Sequence, residues 1–313
     1  MMFAAAMAVA VAIDVALGWA AAIYARIGHP VTWIGWFIRS LDFRLNRESY
    51  SPSQRRVMGV VSVIAVVGLP TTCAAVIQAL LPGGWAGALL TGILAWPLVA
   101  VRSMHEHVVA VAQPLVRGDV PAARHAVSMI VGRDPSVLDE AGVARAALES
   151  LAENTSDGIV APLFWGVLLG LPGIVAYKAI NTLDSMIGHR TPRHEAFGWA
   201  SARLDDVANF IPARLTGLAF ALSSKHPLEG MRTMLRDARK HRSPNAGWPE
   251  AALAAGLGVR LSGPRIYGDR IVEEPWLNAG ASDPCAADIN AGIVLYRRVV
   301  LLAGILLIAL AAL

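Results

Sequence analysis

The sequence IVAPLFWGVLLGLPGIVA (residues 159–176) decides the fold, because it is apolar enough for a membrane yet is interrupted by GLPG at residues 170–173. Two polar clusters flank it, ESLAENTSDG (149–158) and YKAINTLDSMIGHR (177–190). If the run crossed the bilayer, the two clusters would face opposite sides. Half-helices that fold back at GLPG would bring both clusters to one side, and such irregular backbone is tolerated at membrane depth where it is buried in protein or lines a cavity. We therefore predict a re-entrant helical hairpin.

The composition favours a membrane protein. Hydrophobic residues make up 55% of the 313 residues and charged residues only 16%, whereas soluble domains are roughly 45–50% apolar. A bilayer is crossed by about 20 apolar residues. Four apolar runs approach that length, at residues 2–24, 57–81, 85–101 and 299–313. We predict a single all-α, polytopic integral membrane domain over residues 1–313, with about 4–6 membrane-embedded helices.

Arginines set the predicted orientation. The loop at residues 24–56 carries six of them, and by the positive-inside rule such loops lie in the cytoplasm. We expect a multi-pass protein of the cell inner (cytoplasmic) membrane with its amino terminus outside. Residues 102–157 return to the basic side and have the spacing of amphipathic surface helices. The net charge of +4 is spread over loops without an aromatic-interleaved basic motif, so no nucleic-acid partner is predicted.

Polar side chains recur at helical spacing on both sides of the apolar run. Glu149, Glu153 and Asp157 are four residues apart, which stacks three carboxylates on one side of a helix. Like charges so placed repel unless a cation or a substrate nitrogen lies between them, which suggests a Mg²⁺ site. Similar polar edges follow the run, at Lys178, Asn181 and Asp184, and at Asp205, Asp206 and Asn209. The same spacing is equally consistent with helix caps and salt bridges, and both interpretations stay open.

Long blocks of the chain carry a resemblance. They are GHPVTWIGWFI (28–38), GRDPSVLDE (132–140), ESLAENTSDGIVAPLFW (149–165), YKAINTLDSMIGHR (177–190), FGWASARLDDVANFIPARLTGL (197–218) and SPNAGWPEAALAAGLGVRLSGP (243–264). In this order they resemble the adenosylcobinamide-phosphate synthase family (CobD/CbiB) of cobalamin biosynthesis. One departure is Asp269, where the family pattern has glycine after Gly268.

The resemblance implies an integral membrane ligase. Such an enzyme joins the propionate carboxylate of adenosylcobyric acid to the amine of (R)-1-amino-2-propanol phosphate, using ATP and Mg²⁺, and its product is adenosylcobinamide phosphate. The corrinoid, the aminopropanol phosphate and the lipid bilayer are the expected partners, and association with other cobalamin-assembly membrane enzymes is a further expectation. The active site would face the cytoplasm. The oligomeric state stays open.

The polar region at residues 149–250 is the candidate catalytic region for that reaction. The expected catalytic residues are Glu153, Lys178, Asp184 and Asp205. The expected metal ligands are Glu153, Asp157 and Asp206. The expected substrate-binding and phosphate-binding residues are Asn154, Asn181, His189, Arg190, Arg203, Asn209, Arg214, Ser243 and Asn245. The turn that contains Ser243 and Asn245 precedes a helix of small residues, where exposed backbone N–H groups can hold a phosphate.

Two other functions remain open on the sequence alone. Broken helices with polar groups at half-depth are typical of transporters of anionic solutes such as corrinoids, although the polar blocks show no internal repeat. A non-catalytic membrane sensor of the AmpE-like type would also carry such blocks, but its carboxylates should tolerate substitution. The sequence contains no GxxxxGK[ST] motif, so a nucleotide site in this protein is not a P-loop.

Overall fold

The computed structural model describes residues 1–132, 134–267 and 270–313. The chain separates into two compact units: unit 1 comprises residues 1–100, 161–209 and 304–313, and unit 2 comprises residues 101–160 and 210–303. The described part contains these α-helices: α1 (Met2–Leu17), α2 (Ala21–Ile27), α3 (Pro30–Leu45), α4 (Pro52–Leu80), α5 (Gly84–Ala95), α6 (Val101–Val116), α7 (Val120–Ser128), α8 (Glu140–Thr155), α9 (Ala161–Leu169), α10 (Leu171–Ile187), α11 (Trp199–Ala208), α12 (Phe210–Ser223), α13 (Pro227–Asp237), α14 (Gly247–Leu257) and α15 (Ala286–Ala312). The predicted all-α class is confirmed.

Short strands are the exception to this helical architecture. Strand β1 (Leu261–Ser262) pairs antiparallel with β4 (Trp276–Leu277), and β2 (Arg265–Tyr267) pairs antiparallel with β3 (Arg270–Val272). Arg133, Gly268 and Asp269 lie outside the described residues. The family departure at Asp269 therefore has no structural account.

Three helical runs are long and apolar enough to cross a membrane: Pro52–Leu80, Gly84–Val116 and Ala286–Ala312. A fourth span results if the bent pair Met2–Leu17 and Ala22–Leu45 counts as one. This confirms a polytopic membrane protein at the lower end of the predicted number. The first predicted run, residues 2–24, is not one straight helix.

Gly18 explains that difference. It takes φ 58°, its amide donates to the Asp14 carbonyl, and α1 ends there. The chain then bends by 107° before it continues. Positive φ is accessible to glycine at little steric cost, so hydropathy alone missed a break that the backbone makes readily. The C-terminal helix is longer than predicted, because Asp288 Oδ2 accepts a hydrogen bond of 2.8 Å from the Cys285 amide and fixes the first turn of α15.

Unit 1 has its core where α3, α4 and α10 pack together. The buried side chains of this cluster are Ile38, Val66, Ala179, Leu183, Ile187 and Phe197. Helix α4 begins with a capping box, in which Ser51 and Gln54 exchange side-chain hydrogen bonds with each other's backbone amides. A Cβ atom at Gly59 would lie 2.0 Å from the Phe197 carbonyl oxygen, so only glycine allows α4 to approach that segment.

Helices α9 and α10 form the hairpin that the GLPG break predicted. Gly170 takes φ 69° between them, and a Cβ atom at Gly173 would lie 2.2 Å from the Trp165 carbonyl oxygen. Residues eight apart meet this closely only because the chain folds back. Gln78 Oε1 of α4 accepts a hydrogen bond of 2.7 Å from the Leu171 amide at the fold. The arms have 9 and 17 residues, fewer than the roughly 20 of a spanning helix; insertion of the hairpin into the bilayer stays a prediction.

Unit 2 begins with α6, α7 and α8, as the amphipathic pattern predicted, and continues with α12, α13 and α14, which pack on one another. Glu149 is buried on α8, and its Oε1 accepts a hydrogen bond of 2.8 Å from the Ser262 amide in β1. Tyr296 of α15 donates from its hydroxyl to the Val101 carbonyl at 2.6 Å. The prediction of one domain over residues 1–313 stays a prediction, and each unit is described by itself.

Candidate functional site

Helices α10 and α11 of unit 1 bring three carboxylates together. Asp184 lies on α10, and Asp205 and Asp206 lie on α11; each of the three interacts electrostatically with at least one other. We call these three residues the carboxylate cluster. Asn209 Nδ2 donates to Asp205 Oδ2 at 3.0 Å, and the buried Tyr177 hydroxyl donates to Asn209 Oδ1 at 2.8 Å. This chain of hydrogen bonds fixes the orientation of the Asp205 carboxylate.

Burial shifts the proton affinity of the whole cluster. Burial, reinforced by the neighbouring Asp184 carboxylate, raises the pKa of Asp205 to about 7, against the opposing hydrogen bonds of Asn209 and Asn181. Burial also raises the pKa of Asp184, with His189 opposing the shift. These are the effects expected when carboxylates share a site with little water. A carboxylate that exchanges its proton near neutral pH is suited to general acid–base chemistry.

A basic edge borders the carboxylate cluster. His189, Arg190 and Arg203 are exposed, and Arg203 Nη1 lies 3.8 Å from Asp206 Oδ2. Burial raises the pKa of the Asp206 carboxyl, while Arg203 and Arg190 oppose that shift. Lys178 is half-buried and lies about 1.7 turns before Asp184 on α10. Cations beside carboxylates can receive a phosphate group together with its metal ion.

Two local features of unit 1 build this arrangement, and the sequence pattern did not reveal either. A Cβ atom at Gly188 would lie 1.9 Å from Asp184 Oδ1, so the carboxylate occupies space that only glycine leaves free. The loop after Gly188 is held by Arg193, whose Nη2 lies 2.9 Å from Asp42 Oδ2 and whose carbonyl accepts from Asn46 Nδ2 at 3.1 Å. Asp42 and Asn46 lie more than 140 residues away in sequence.

Glu153, Asn154 and Asp157 lie in unit 2, where α8 runs into a π-helical turn at Ser156–Val160. Glu153 is exposed and Asp157 half-buried, while Asn154 Nδ2 donates to the Ser150 carbonyl at 2.9 Å. Single π turns inside helices occur frequently at functional sites. Glu149 does not belong to the predicted stack of carboxylates four residues apart, because it is buried and accepts a hydrogen bond from β1.

Arg214, Ser243 and Asn245 also lie in unit 2, in structural contacts. The Arg214 guanidinium carbon lies 3.6 Å from the Phe210 ring centroid and 4.4 Å from the Trp248 ring centroid, and the guanidinium donates to the Phe210 carbonyl. Ser243 Oγ accepts from the amides of Asn245 and Ala246 at 3.2 Å each and so caps the turn before α14. Their roles toward phosphate stay predictions.

The predicted site residues fall in both compact units. The unit 1 group is Lys178, Asn181, Asp184, His189, Arg190, Arg203, Asp205, Asp206 and Asn209. Within the described ranges, no group of three or more His, Cys, Asp or Glu side chains is arranged to hold a metal ion. Mg²⁺ is usually held by one or two carboxylates together with substrate phosphates and waters. The oxygen-rich donor sets therefore fit Mg²⁺ that arrives with a polyphosphate.

Comparison with known proteins agrees with the sequence resemblance. Residues 7–296 match the family model described as CobD/Cbib protein. The chain is 65% identical over 298 residues to cobalamin biosynthesis protein CobD of Rhodobacter capsulatus, covering 95% of this chain and 94% of that protein. It is 51% identical over 282 residues to the CobD protein of Brucella suis, covering 88% and 86%. It is 45% identical over 310 residues to that of a Sinorhizobium species, covering 96% of each.

No solved structure matches the chain. The family model covers far more than half of the sequence, and the relatives are similar over nearly their whole length. The fold, with its apolar helices of spanning length, agrees with the membrane character inferred from composition. The chain therefore belongs to the CobD/CbiB family of cobalamin biosynthesis proteins.

Proposed function

We propose that this protein is an ATP-dependent amide ligase that condenses adenosylcobyric acid with (R)-1-amino-2-propanol phosphate to form adenosylcobinamide phosphate. The observation that carries the proposal is Asp205, a buried carboxylate with its pKa raised to about 7 beside Asp184. Amide formation needs a base for the attacking amine, and a base with a pKa near the working pH is the effective one. The substrates in this proposal are those that the sequence resemblance implies.

The chemistry requires that one carboxylate oxygen become a leaving group. A phosphoryl group from ATP is transferred to the propionate carboxylate of adenosylcobyric acid, which forms an acyl phosphate and releases the nucleotide. The amine nitrogen attacks the acyl carbon, the bond from that carbon to the phosphate oxygen breaks, and inorganic phosphate leaves with the electron pair. The nitrogen then gives up a proton, and the amide remains.

Asp205 is the proposed acceptor of that proton. Its carboxylate is oriented by Asn209, which is itself fixed by the Tyr177 hydroxyl. Asp184 keeps the proton affinity of Asp205 high by charge repulsion. A base held in one orientation can meet the amine in the geometry that proton transfer needs.

Phosphate binding and Mg²⁺ binding are assigned in this proposal to different side chains. Lys178, Arg190 and Arg203 neutralise phosphate oxygens, as charge-assisted hydrogen bonds do. Glu153 and Asp157 in unit 2, and separately Asp206 in unit 1, are the proposed ligands of Mg²⁺, which when bound would offset charge on the polyphosphate. Their carboxylate oxygens are the donor type that this ion prefers.

The proposal is tested by product formation in detergent-purified protein, followed by mass spectrometry. The complete mixture contains adenosylcobyric acid, aminopropanol phosphate, ATP and Mg²⁺, and each component is omitted in turn. We expect the corrinoid to gain the mass of the amine minus water only in the complete mixture. With ¹⁸O in the propionate carboxylate, one ¹⁸O should appear in the released phosphate. A corrinoid that binds, or crosses a proteoliposome membrane, without gaining mass would overturn the ligase and favour transport.

A further inference from the structure

A second site candidate lies in unit 2, in a pocket of about 410 Å³. Its polar lining consists of Asp134, Asp139, Arg145, Arg260 and Ser262, and Trp276 forms an aromatic wall. The volume falls at the small end of the roughly 300–1,000 Å³ typical of ligand sites. Asp134 and Asp139 belong to one of the blocks that carry the family resemblance, and Arg260 and Ser262 belong to another; the carboxylate cluster of unit 1 includes residues of neither.

Arg145 and Arg260 form the basic part of the pocket lining, which we call the arginine wall. Arg260 makes a bidentate pair with Asp283, at 3.0 and 2.7 Å, and Arg145 Nη2 lies 2.7 Å from the same carboxylate. Two guanidinium groups thus share one carboxylate. Both are also placed over the Trp276 ring, with guanidinium carbons 4.6 Å (Arg145) and 4.1 Å (Arg260) from its centroid. The ion pairs with Asp283 and the contacts with the Trp276 ring hold both guanidinium groups in place.

Two buried hydrogen-bonding groups in the pocket lining have no hydrogen-bond partner among the described residues. Arg145 Nε is buried and has no hydrogen-bond partner within the residues that the structure describes. The same is true of Ser262 Oγ, whose residue is only 1% exposed. A buried polar group left without a partner destabilises the folded state. Both residues line the pocket, so an anion bound there is the candidate acceptor for these groups.

The pocket lining also contains two acidic residues, Asp134 and Asp139. Asp139 caps α8, with its Oδ1 accepting from the Gly142 amide at 2.7 Å. Asp134 accepts from the Ser136 amide and hydroxyl at 2.9 Å each. Arg124 Nε donates to the Leu138 carbonyl at 2.6 Å and holds this loop in place. Two carboxylates disfavour a purely anionic ligand, and two arginines disfavour a purely cationic one.

We propose that this pocket binds a small zwitterionic phosphate compound, with its phosphate on Arg145, Arg260 and Ser262 and its ammonium group on Asp134 and Asp139. The compound that fits the chemistry is the amino-alcohol phosphate of the ligase reaction, an identification that rests on the proposed function. The arginine fork matches phosphate oxygens in geometry as well as charge. The pocket is thus a recognition site for the amine substrate.

The test is calorimetric binding to the detergent-purified full chain, with (R)-1-amino-2-propanol phosphate, inorganic phosphate and 1-amino-2-propanol as separate probes. We expect the amino-alcohol phosphate to bind most tightly. Arg260→Gln should weaken binding of both phosphate probes by about 10-fold or more. Asp139→Asn keeps the helix cap, because asparagine is an equally good N-cap; it should weaken the two probes that carry an ammonium group and leave inorganic phosphate unchanged.

Exposed Arg232 on α13 provides the matched control, and Arg232→Gln should bind like the parent protein. A thermal unfolding curve for each variant separates lost binding from lost folding. The assignment is overturned if folded Arg260→Gln binds the amino-alcohol phosphate normally, if inorganic phosphate binds equally well and Asp139→Asn has no effect, or if no probe binds the parent protein. Binding of the amino-alcohol phosphate without turnover would support the pocket assignment and contradict the proposed ligase activity. Turnover with an unchanged KM for the amine in Arg260→Gln would support the ligase activity and contradict the pocket assignment.

Discussion

At the scale of single residues, Asp205 links burial to chemistry. An unfolded aspartate titrates near 3.8, and burial beside Asp184 raises the folded pKa of Asp205 to about 7. Between these values the native state keeps a proton that the unfolded state releases. The free energy of unfolding therefore loses the contribution of Asp205 as the pH rises from about 4 to about 7.

Asp205→Asn removes this titration, and asparagine can still hydrogen bond to Asn209 after an amide flip. We expect the variant to gain thermal stability relative to the parent protein between pH 4 and pH 7, with no further gain above pH 7. Parallel unfolding curves of both proteins in detergent, taken in half-unit pH steps, measure this difference. A difference that does not change with pH would show that Asp205 is ionised in both states.

Gly188 controls the position of Asp184, because a Cβ atom there would lie 1.9 Å from the carboxylate oxygen. Gly188→Ala should rotate the Asp184 side chain, lower the pKa of Asp205 and reduce turnover. Its cost in stability should exceed the roughly 0.5–1.5 kcal/mol of an altered rotamer, because the Cβ atom would also lie 2.8 Å from the backbone carbonyl oxygen of Asp184. The pH–rate profile should shift to lower pH. Gly68→Ala is the control, since nothing lies within 4 Å of a Cβ atom at that position; equal turnover in both variants would contradict the assigned position.

At the same scale, the sequence predicted local polar faces well and distant partners poorly. The four-residue spacing of Asp205 and Asn209 became a hydrogen bond of 3.0 Å. Glu149 was placed in a carboxylate stack by the same rule, but its partner is the Ser262 amide, 113 residues away. Helical periodicity identifies neighbours on one helix and contains no information about such partners.

At the scale of elements, glycines determine where helices turn. The GLPG motif predicted the α9–α10 hairpin, because a glycine and a proline together mark a break in a helix. Gly18 ends α1 without any such motif, and the predicted straight run over residues 2–24 failed there. The π turn at Ser156–Val160 was equally hidden, since its composition is compatible with an ordinary helix. Apolar pattern predicts that a helix exists more reliably than where it bends.

Gly170→Ala should destabilise the hairpin. The position combines φ 69° and ψ −144°, a region that is nearly restricted to glycine and costs about 1–3 kcal/mol for other residues. A Cβ atom would also lie 2.1 Å from Gln78 Oε1, the atom that accepts a hydrogen bond from the Leu171 amide. Gly84→Ala is the matched control, with φ +68° and nothing within 4 Å. Apparent Tm should fall more in Gly170→Ala; equal shifts would show that the contact with Gln78 has no effect.

At the scale of the whole molecule, orientation in the membrane follows from charge. The basic segment between the first helices and α4 is proposed to face the cytoplasm, by the positive-inside rule. Ser49 lies in this segment, in the short loop before α4. Ser49→Cys in a chain whose native Cys73 and Cys285 are replaced by alanine should react with an impermeant maleimide only after the inner membrane is opened. Labelling of intact spheroplasts would reverse the proposed topology.

The measurement that tests the central claim most directly is turnover of three proteins side by side: the parent chain, Asp205→Asn and Glu195→Gln. Glu195 is an exposed carboxylate close in sequence to the cluster and serves as the matched control. We predict adenosylcobinamide phosphate from the parent chain, with a rate that rises through about pH 7 as Asp205 ionises. Glu195→Gln should match it, and Asp205→Asn should be slower by about 100-fold or more. Wild-type turnover by a correctly folded Asp205→Asn protein would contradict the assignment of the active site to the carboxylate cluster.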